Sequence, residues 1–121
     1  MLSKEECFAV SELAHRLMDA GRNEDAMALV DGLIQFNPEW PWGWYAAGRA
    51  CFEARDFGRA ADFLRRGIQA GAGIEAQMLR LEALVAAGRR DEARVAAEPI
   101  RSSGSEADLA RLSALGIVRS E

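Results

Sequence analysis

AGRNEDA, residues 20–26, returns in related form as ARDFGRA at 54–60 and as AGRRDEA at 87–93. The final alanines of the three blocks are 34 and 33 residues apart. Each block lies between two stretches in which apolar residues recur at intervals of three and four, the period of a helix that buries one face. The sequence therefore predicts a unit of helix, tight turn and second helix that occurs three times.

Turn chemistry within the blocks supports this unit. Gly21 and Gly88 can end a helix in the left-handed conformation, whereas Arg55 occupies the same place in the middle block. An acidic residue follows both glycines closely, where it meets the positive N-terminal end of the next helix. We therefore expect a tight turn in each block, with a left-handed glycine in the first and third.

Helix starts are readable in the same way. Ser3 precedes Glu6 with the spacing of a capping box, and Pro41 suits a first helical turn because its missing N–H is not needed there. Near the end of the chain, SEADLARLS begins at Ser105 and places leucines on one side of a helix over about 105–115. We expect this last helix to cover the exposed face of the final unit.

Composition excludes several classes of protein. The chain has 121 residues, half of them apolar, which is enough for one domain with a buried core. Its net charge of -4 argues against nucleic-acid binding, because phosphate contact needs clustered Lys and Arg. No apolar run approaches the roughly 20 residues of a membrane span, and the first residues lack the order of a secretory signal. We expect a single cytoplasmic domain over residues 1–121 that neither binds nucleic acid nor inserts into a membrane.

Residues that could carry catalysis or hold a metal are few and scattered. The two cysteines, Cys7 and Cys51, match no metal or redox spacing. The single histidine, His15, has no Cys or His partner nearby in the chain, and the acids alternate with arginines as on solvated helix faces. The glycines at 71–73 lack the lysine and hydroxyl of a phosphate-binding loop. We expect no catalytic residue, no metal and no cofactor.

The first two units carry small and large apolar residues at the positions of a known pattern. In the middle unit these residues are Trp44, Ala47, Gly48, Cys51, Ala60, Leu64 and Gly67. In the first unit they are Val10, Leu13, Ala14, Leu17, Ala26, Val30, Leu33 and Pro38. The chain in this respect resembles tetratricopeptide repeat proteins, whose unit of 34 residues has the pattern W-x2-L-G-x2-Y, then A-x3-F, A and P. The resemblance implies an all-α fold, a right-handed α-solenoid of three hairpins at about 7–40, 41–73 and 74–102 with a C-terminal capping helix.

The third unit departs from this pattern. It is one residue short, and Pro99 stands inside its second helix, where proline should kink or end the helix. Its register therefore has two readings, which differ by one position on its first helix.

The resemblance also implies a binding surface, because stacked hairpins curve and leave a concave side lined by the first helix of each unit. The groove positions of the family are the second, fifth, ninth and twelfth of each unit. Here they are Phe8, Ser11, His15 and Met18 in the first unit, then Trp42, Tyr45, Arg49 and Phe52 in the second. In the third unit they are Glu75, Met78, Glu82 and Val85 or, in the other register, Ala76, Leu79, Ala83 and Ala86. Intervals of three, four and three residues place each set on one helical face.

Aromatic residues make the middle set the strongest candidate for ligand contact. Trp42, Tyr45 and Phe52 form a stripe around a single arginine, a composition that dominates interface hot spots. The alternative is that the N-terminal helix or the capping helix covers this stripe. Trp44 lies on the opposite side of the same helix and is expected to pack inward.

These features predict a protein that binds another protein. Some members of the family hold acidic C-terminal tails in a clamp of Lys, Asn and Arg. Those places carry Ser11, His15, Ala46, Glu75 and Leu79 here. We therefore expect the groove to bind an apolar segment, either an amphipathic helix or an extended peptide.

The main interpretation is therefore a small bacterial adaptor or chaperone. Two further interpretations stay open beside it. Size, repeat number and the apolar groove also resemble the bacterial chaperones of type III secretion, which keep translocator or needle subunits soluble before export. An exposed aromatic groove can also accept a second copy of the chain, which would make the protein a self-associating scaffold such as a homodimer.

Overall fold

The structure, a computed structural model, describes residues 2–103 and 105–116 of the chain. Within these residues the fold is all-α and consists of seven helices. They are α1 (Lys4–Asp19), α2 (Asn23–Phe36), α3 (Pro41–Glu53), α4 (Phe57–Gln69), α5 (Ile74–Ala86), α6 (Arg90–Ser103) and α7 (Glu106–Ala114). Residues 1, 104 and 117–121 of the expected domain lie outside this described part.

The turns after α1, α3 and α5 share one backbone form. Gly21, Arg55 and Gly88 have φ angles of 79°, 62° and 78°, all in the left-handed region. The N–H of the next residue donates to the carbonyl five positions back, over 2.8 Å in the first two turns and 2.9 Å in the third. This hydrogen bond satisfies a carbonyl that the helix end leaves without a helical partner. The tight turns are confirmed, and the structure adds that the arginine of the middle block adopts the same left-handed backbone as the two glycines.

A charge pair spans the start of the second helix in each hairpin, and its polarity is reversed in the middle one. The pairs are Arg22 with Asp25, Asp56 with Arg59, and Arg89 with Glu92. They occupy equivalent positions, because each begins one residue after the left-handed turn residue. Attraction between side chains three positions apart stabilises the first helical turn. The three hairpins thus share a charge pair at this position, although the residues that form it differ.

Two helix starts have complete capping boxes. The Ser3 hydroxyl accepts from the N–H of Glu6 over 3.1 Å, and the Glu6 carboxylate accepts from the N–H of Ser3 over 3.0 Å. These hydrogen bonds, first of all the one from the backbone, lower the pKa of Glu6. Ser105 and Asp108 make the same reciprocal pair, both at 3.2 Å, at the start of α7. Pro41 is the first residue of α3, as its sequence position predicts.

The helices pack in the order in which they occur in the chain, as three hairpins followed by α7. In addition, α1 lies against α3 and α3 lies against α5, so the first helices of the hairpins form one layer. Within the described residues, α2 and α4 have only their chain neighbours as packing partners. The alanines that end the three sequence blocks, Ala26, Ala60 and Ala93, are buried where the helices meet. Small residues at these points let the helix axes approach closely.

The helix lengths decide the register of the third unit. Both α3 and α5 have 13 residues, whereas α2 has 14 and α4 has 13. The missing residue therefore belongs to α4, and α5 matches α3 position by position. Of the two candidate sets on α5, the set in register with the middle unit is Glu75, Met78, Glu82 and Val85.

Two glycines set the distance at which α3 and α4 cross. A Cβ atom placed on Gly48 would lie 2.5 Å from Cγ of Leu64 and 3.3 Å from the carbonyl oxygen of Ala60. A Cβ atom on Gly67 would lie 3.1 Å from Cβ of Trp44. The first distance is shorter than carbon atoms tolerate, so the central hairpin has room for no side chain at residue 48.

Of the two effects expected of Pro99, it does not end α6, and the helix continues to Ser103. Proline removes the N–H that would bond the carbonyl of Val95. Val95 is 74% exposed and Pro99 is exposed as well, so water can reach that carbonyl. On the other side of the helix, Ala97 and Ile100 are fully buried and hold α6 against the core. Burial of this face outweighs one lost hydrogen bond.

We predict that Gly48→Ala lowers the free energy of unfolding by about 1 to 3 kcal/mol, because Leu64 must leave its position. Gly32→Ala is the matched control: Gly32 also lies inside a helix, but a Cβ there meets no atom within 4 Å. That change should raise stability by about 0.5 to 1 kcal/mol through helix propensity. Urea unfolding followed by circular dichroism measures both. Equal effects of the two changes would show that the α3–α4 crossing is not tight.

We also predict that Arg55→Gly raises the free energy of unfolding by about 0.5 to 1 kcal/mol, because glycine adopts the left-handed conformation without steric cost. The matched change in the opposite direction is Gly88→Arg, which should lower stability by about 1 to 2 kcal/mol. Thermal unfolding of both variants provides the comparison. Loss of stability on introducing glycine at residue 55 would mean that the arginine side chain itself stabilises this turn.

Candidate functional site

An open cavity of about 360 Å³ lies between α1 and α3. Its lining residues are Phe8, Ser11, Glu12, His15, Met18, Tyr45, Ala46 and Arg49. The whole set expected for the first unit is among them, together with two residues of the middle set. The residues of each set lie together because their spacing places them on one face of a helix. The two sets meet because α1 lies against α3.

Exposed aromatic rings border this cavity on both helices. Phe8 is 47% exposed and packs edge to face against Trp40, with 5.2 Å between the ring centroids. Trp42 is 41% exposed and packs edge to face against Tyr45, with 5.6 Å between centroids. Each pair fixes the orientation of a ring that would otherwise rotate freely at the surface. The border therefore presents ordered apolar area to solvent, which is uncommon unless a partner covers it.

The middle stripe is neither wholly open nor wholly covered. Tyr45 is half-buried, and one side of its ring packs against the core around Leu64. Phe52 is turned toward the next helix, where its ring lies 5.1 Å from that of Phe57. The stripe therefore divides: Trp42 and Tyr45 belong to the border of the cavity, whereas Phe52 packs against the core of the second and third hairpins.

The residues expected for the groove on α5 do not extend the cavity. Met78 departs from the prediction most clearly, because its side chain is fully buried in the core. Val85 is half-buried against the same core cluster as Leu112 of α7. Glu82 lies 3.8 Å from the guanidinium of Arg111, also on α7. The last helix therefore takes part in packing at the third hairpin, which helical phase within α5 alone could not reveal.

Two lining residues, Glu12 and Ala46, are not among the predicted groove positions, although Ala46 was named as a clamp position of the family. Glu12 lies four residues after Phe8 and therefore shares its helical face. Ala46 follows Tyr45 and points about 100° away from it, so helical phase does not group these two residues. Both residues line the cavity because α1 and α3 lie against each other here.

Three polar groups follow one another along α1, and two of them are in contact. His15 Nε2 lies 3.5 Å from the Asp19 carboxylate, and Ser11 precedes the histidine by one helical turn. A hydroxyl, an imidazole and a carboxylate thus follow one another along α1, as in a hydrolase triad. However, no hydrogen bond joins Ser11 to His15 within residues 2–103 and 105–116. Together with Glu12 and Arg49, these groups give the cavity a mixed polar rim.

The three tryptophans around α3 have different environments. Trp44 is buried, its indole N–H donates to the carbonyl of Pro38 over 2.7 Å, and the Arg66 guanidinium carbon lies 4.7 Å from its ring centroid. Trp40 immediately precedes α3 and contacts α1 through the ring pair described above. Trp42 remains the most accessible of the three. Only Trp44 is part of the packing between α3 and α4.

A second cavity, of about 390 Å³, opens on the other side of α3 among residues of α2 and the first turn of α4. Met27 and Cys51 form its apolar part, and Glu24, Asp31 and Asp56 form its acidic part. Burial raises the pKa of the Cys51 thiol, so the sulfur stays protonated and is a poor nucleophile or metal ligand. Within the described part of the chain, no group of three metal-binding side chains is found.

Comparison of the sequence with protein-family models and with curated proteins finds no match. Among the helices that the structure describes, none is long and apolar enough to cross a membrane. What these findings support is an all-helical domain of sequentially packed hairpins; the repeat family named above remains a resemblance.

We predict that Trp44→Ala lowers the free energy of unfolding by about 3 to 5 kcal/mol, because it removes a buried ring and leaves a cavity. Trp42→Ala is the matched control on the same helix and should cost less than about 1 kcal/mol, because its ring is much more exposed. Urea unfolding of both variants tests this assignment. A large cost at residue 42 would place that ring in the core and remove it from the candidate site.

Proposed function

We propose that the protein is a protein-binding module of the tetratricopeptide type that holds an apolar segment of a partner between α1 and α3. The observation that carries this proposal is the cavity itself, whose lining comes from two separate sets of groove positions and whose border carries exposed aromatic rings. Aromatic residues with a nearby arginine are the usual centre of protein interfaces.

The packing of the helices supports a curved stack. The layer of α1, α3 and α5 is continuous, whereas the backbones of α2 and α4 do not approach each other closely among the described residues. When units are closer on one side than on the other, the stack bends toward the closer side. The layer of first helices would therefore be the concave side, where the cavity lies.

The size of the cavity limits what the ligand can be. A volume of about 360 Å³ accepts one or two large side chains and not a folded domain. Burying one Leu or Phe side chain contributes about 1.5 to 3 kcal/mol, whereas a micromolar complex needs about 8 kcal/mol. The partner must therefore use several apolar side chains, one in the cavity and others against Trp42 and Phe8. A helix or an extended strand presents side chains in such a row.

The polar rim gives the ligand an orientation. Glu12 lies on α1, where Arg16 pairs with it over 3.1 Å, and Arg49 lies on α3, so a bound segment meets a paired carboxylate on one side and a guanidinium on the other. Such groups add little affinity when solvated, but they disfavour a segment bound in the reverse direction. An adaptor and a chaperone would use this same surface, and they differ only in what happens to the partner afterwards.

The test is to select ligands from a library of random peptides displayed on phage and to measure the enriched peptides by calorimetry. We expect aliphatic or aromatic side chains at helical or alternating spacing and micromolar affinity. Ser11→Tyr should fill the cavity without removing a core contact, and Trp42→Ala should remove the exposed ring. Each change should weaken binding by about tenfold or more.

Phe36→Ala is the matched control, because Phe36 is 60% exposed and does not line the cavity. It should change affinity by less than about twofold. Equal binding by wild type and by Ser11→Tyr would contradict the proposal. A dimer that forms at micromolar concentration and is broken by Ser11→Tyr would instead favour the self-associating scaffold.

A further inference from the structure

A third cavity, of about 290 Å³, lies along α4 and shares no lining residue with the cavity between α1 and α3. Its lining residues are Trp44, Arg59, Asp62, Phe63, Arg65 and Arg66. Three arginines beside two aromatic rings are notable in a chain whose net charge is -4. We call this surface the α4 arginine face.

Two of these arginines have no acidic partner. Within the described residues, neither Arg65 nor Arg66 has a carboxylate oxygen within 4.0 Å. The one carboxylate of the face, Asp62, is already shared with Arg89 at 3.4 Å. Elsewhere in the chain, arginines such as Arg94 are paired with an acid three positions away. The α4 arginine face therefore carries uncompensated positive charge.

Aromatic rings hold two of the guanidinium groups in place. The Arg66 guanidinium carbon lies 4.7 Å from the centroid of the Trp44 ring, and that of Arg59 lies 5.7 Å from the centroid of Phe63. A guanidinium that stacks on a ring keeps its N–H groups free at its edges, and its orientation is fixed before a ligand arrives. Both properties suit the binding of a carboxylate, which accepts two parallel N–H bonds from one arginine.

Arg80, on α5, lies beside this face but lines a separate cavity with Asp91 and Glu92. Burial lowers the pKa of its guanidinium, the carboxylate of Glu92 raises it, and the charges of Arg65 and Arg89 lower it. Arg65 is therefore repelled by a second guanidinium nearby. An additional carboxylate at Arg65 would offset this repulsion.

We propose that the α4 arginine face binds an acidic segment of a partner protein, with carboxylates on Arg65 and Arg66 and apolar side chains against the rings between them. Polyanionic nucleic acid fits less well, because Asp62 and Glu92 lie among the arginines and would repel a continuous row of phosphates. Separate carboxylates can bind around these acids. This proposal does not depend on the cavity between α1 and α3.

The experiment uses the full chain and a fluorescein-labelled peptide in which Glu alternates with Leu and Ala, followed by fluorescence anisotropy. The same peptide with Gln in place of Glu is the ligand control. We expect saturable binding of the acidic peptide only, weakened by salt because charges near the surface are screened. Arg65→Gln combined with Arg66→Gln should weaken binding roughly tenfold.

The matched control combines Arg16→Gln with Arg111→Gln, which removes the same charge from α1 and α7, where both arginines are paired with acids. It should leave affinity within about twofold of wild type. Since Arg66 contacts the buried Trp44, the single variant Arg65→Gln serves as a check that does not touch the core; it should weaken binding about threefold.

Three results would overturn the proposal. The first is the absence of saturable binding by the acidic peptide. The second is an equal loss of affinity in the two double variants, which would show a general charge effect. The third is equal or tighter binding of a labelled oligouridylate, which would assign the face to nucleic acid. Ser11→Tyr should leave binding of the acidic peptide unchanged. Failure of the proposal for the α4 arginine face can therefore be distinguished from failure of the proposed function of the cavity between α1 and α3.

Discussion

The close crossing of α3 and α4 is the constraint on which the rest of the structure depends. With no side chain at residue 48, Leu64 packs directly onto the backbone of α3, and the absence of a side chain at Gly67 leaves room for Cβ of Trp44 against α4. This contact fixes the rotation of α3 about its own axis. The same rotation directs Tyr45 and Arg49 toward α1, where they line the cavity. The candidate site is therefore positioned by packing on the far side of the helix that carries it.

Local features of the fold could be predicted from the sequence because they depend on neighbouring residues alone. The left-handed turns at Gly21 and Gly88 and the capping box of Ser3 follow from backbone sterics and from the spacing of donors and acceptors. The repeat predicted a tight turn in the middle block, but the left-handed backbone of Arg55 was not predicted, because arginine rarely adopts it. Local sequence features do not show which of two opposing contributions to the free energy of folding is larger. Pro99 remains inside α6 because burial on one side of the helix outweighs a hydrogen bond lost to water on the other.

The candidate site was predictable to the extent that helical phase determines it. Phase correctly grouped the residues of α1 that meet in one cavity, but it says nothing of how far each side chain is covered by other helices. Met78 shows the difference, since it occupies the same place on α5 as Tyr45 on α3 and yet is fully buried. Its burial depends on contacts between helices that are distant in sequence. The arginine face was missed for a similar reason, because Arg66 and Trp44 come together only when α4 folds against α3.

Both proposed surfaces include residues of α3, so the rigidity of this helix determines whether binding at one surface can affect the other. Trp44 and Tyr45 are adjacent in sequence, but consecutive residues of a helix point about 100° apart, so one ring contacts the arginine face and the other the cavity. The tight crossing at Gly48 leaves α3 no freedom to transmit a movement between them. If one partner carries both an apolar and an acidic segment, binding of the first segment raises the local concentration of the second near its own surface. The gain in affinity from occupying both surfaces therefore comes from this local concentration. That gain depends on the length of the linker between the segments and needs no conformational change in this protein.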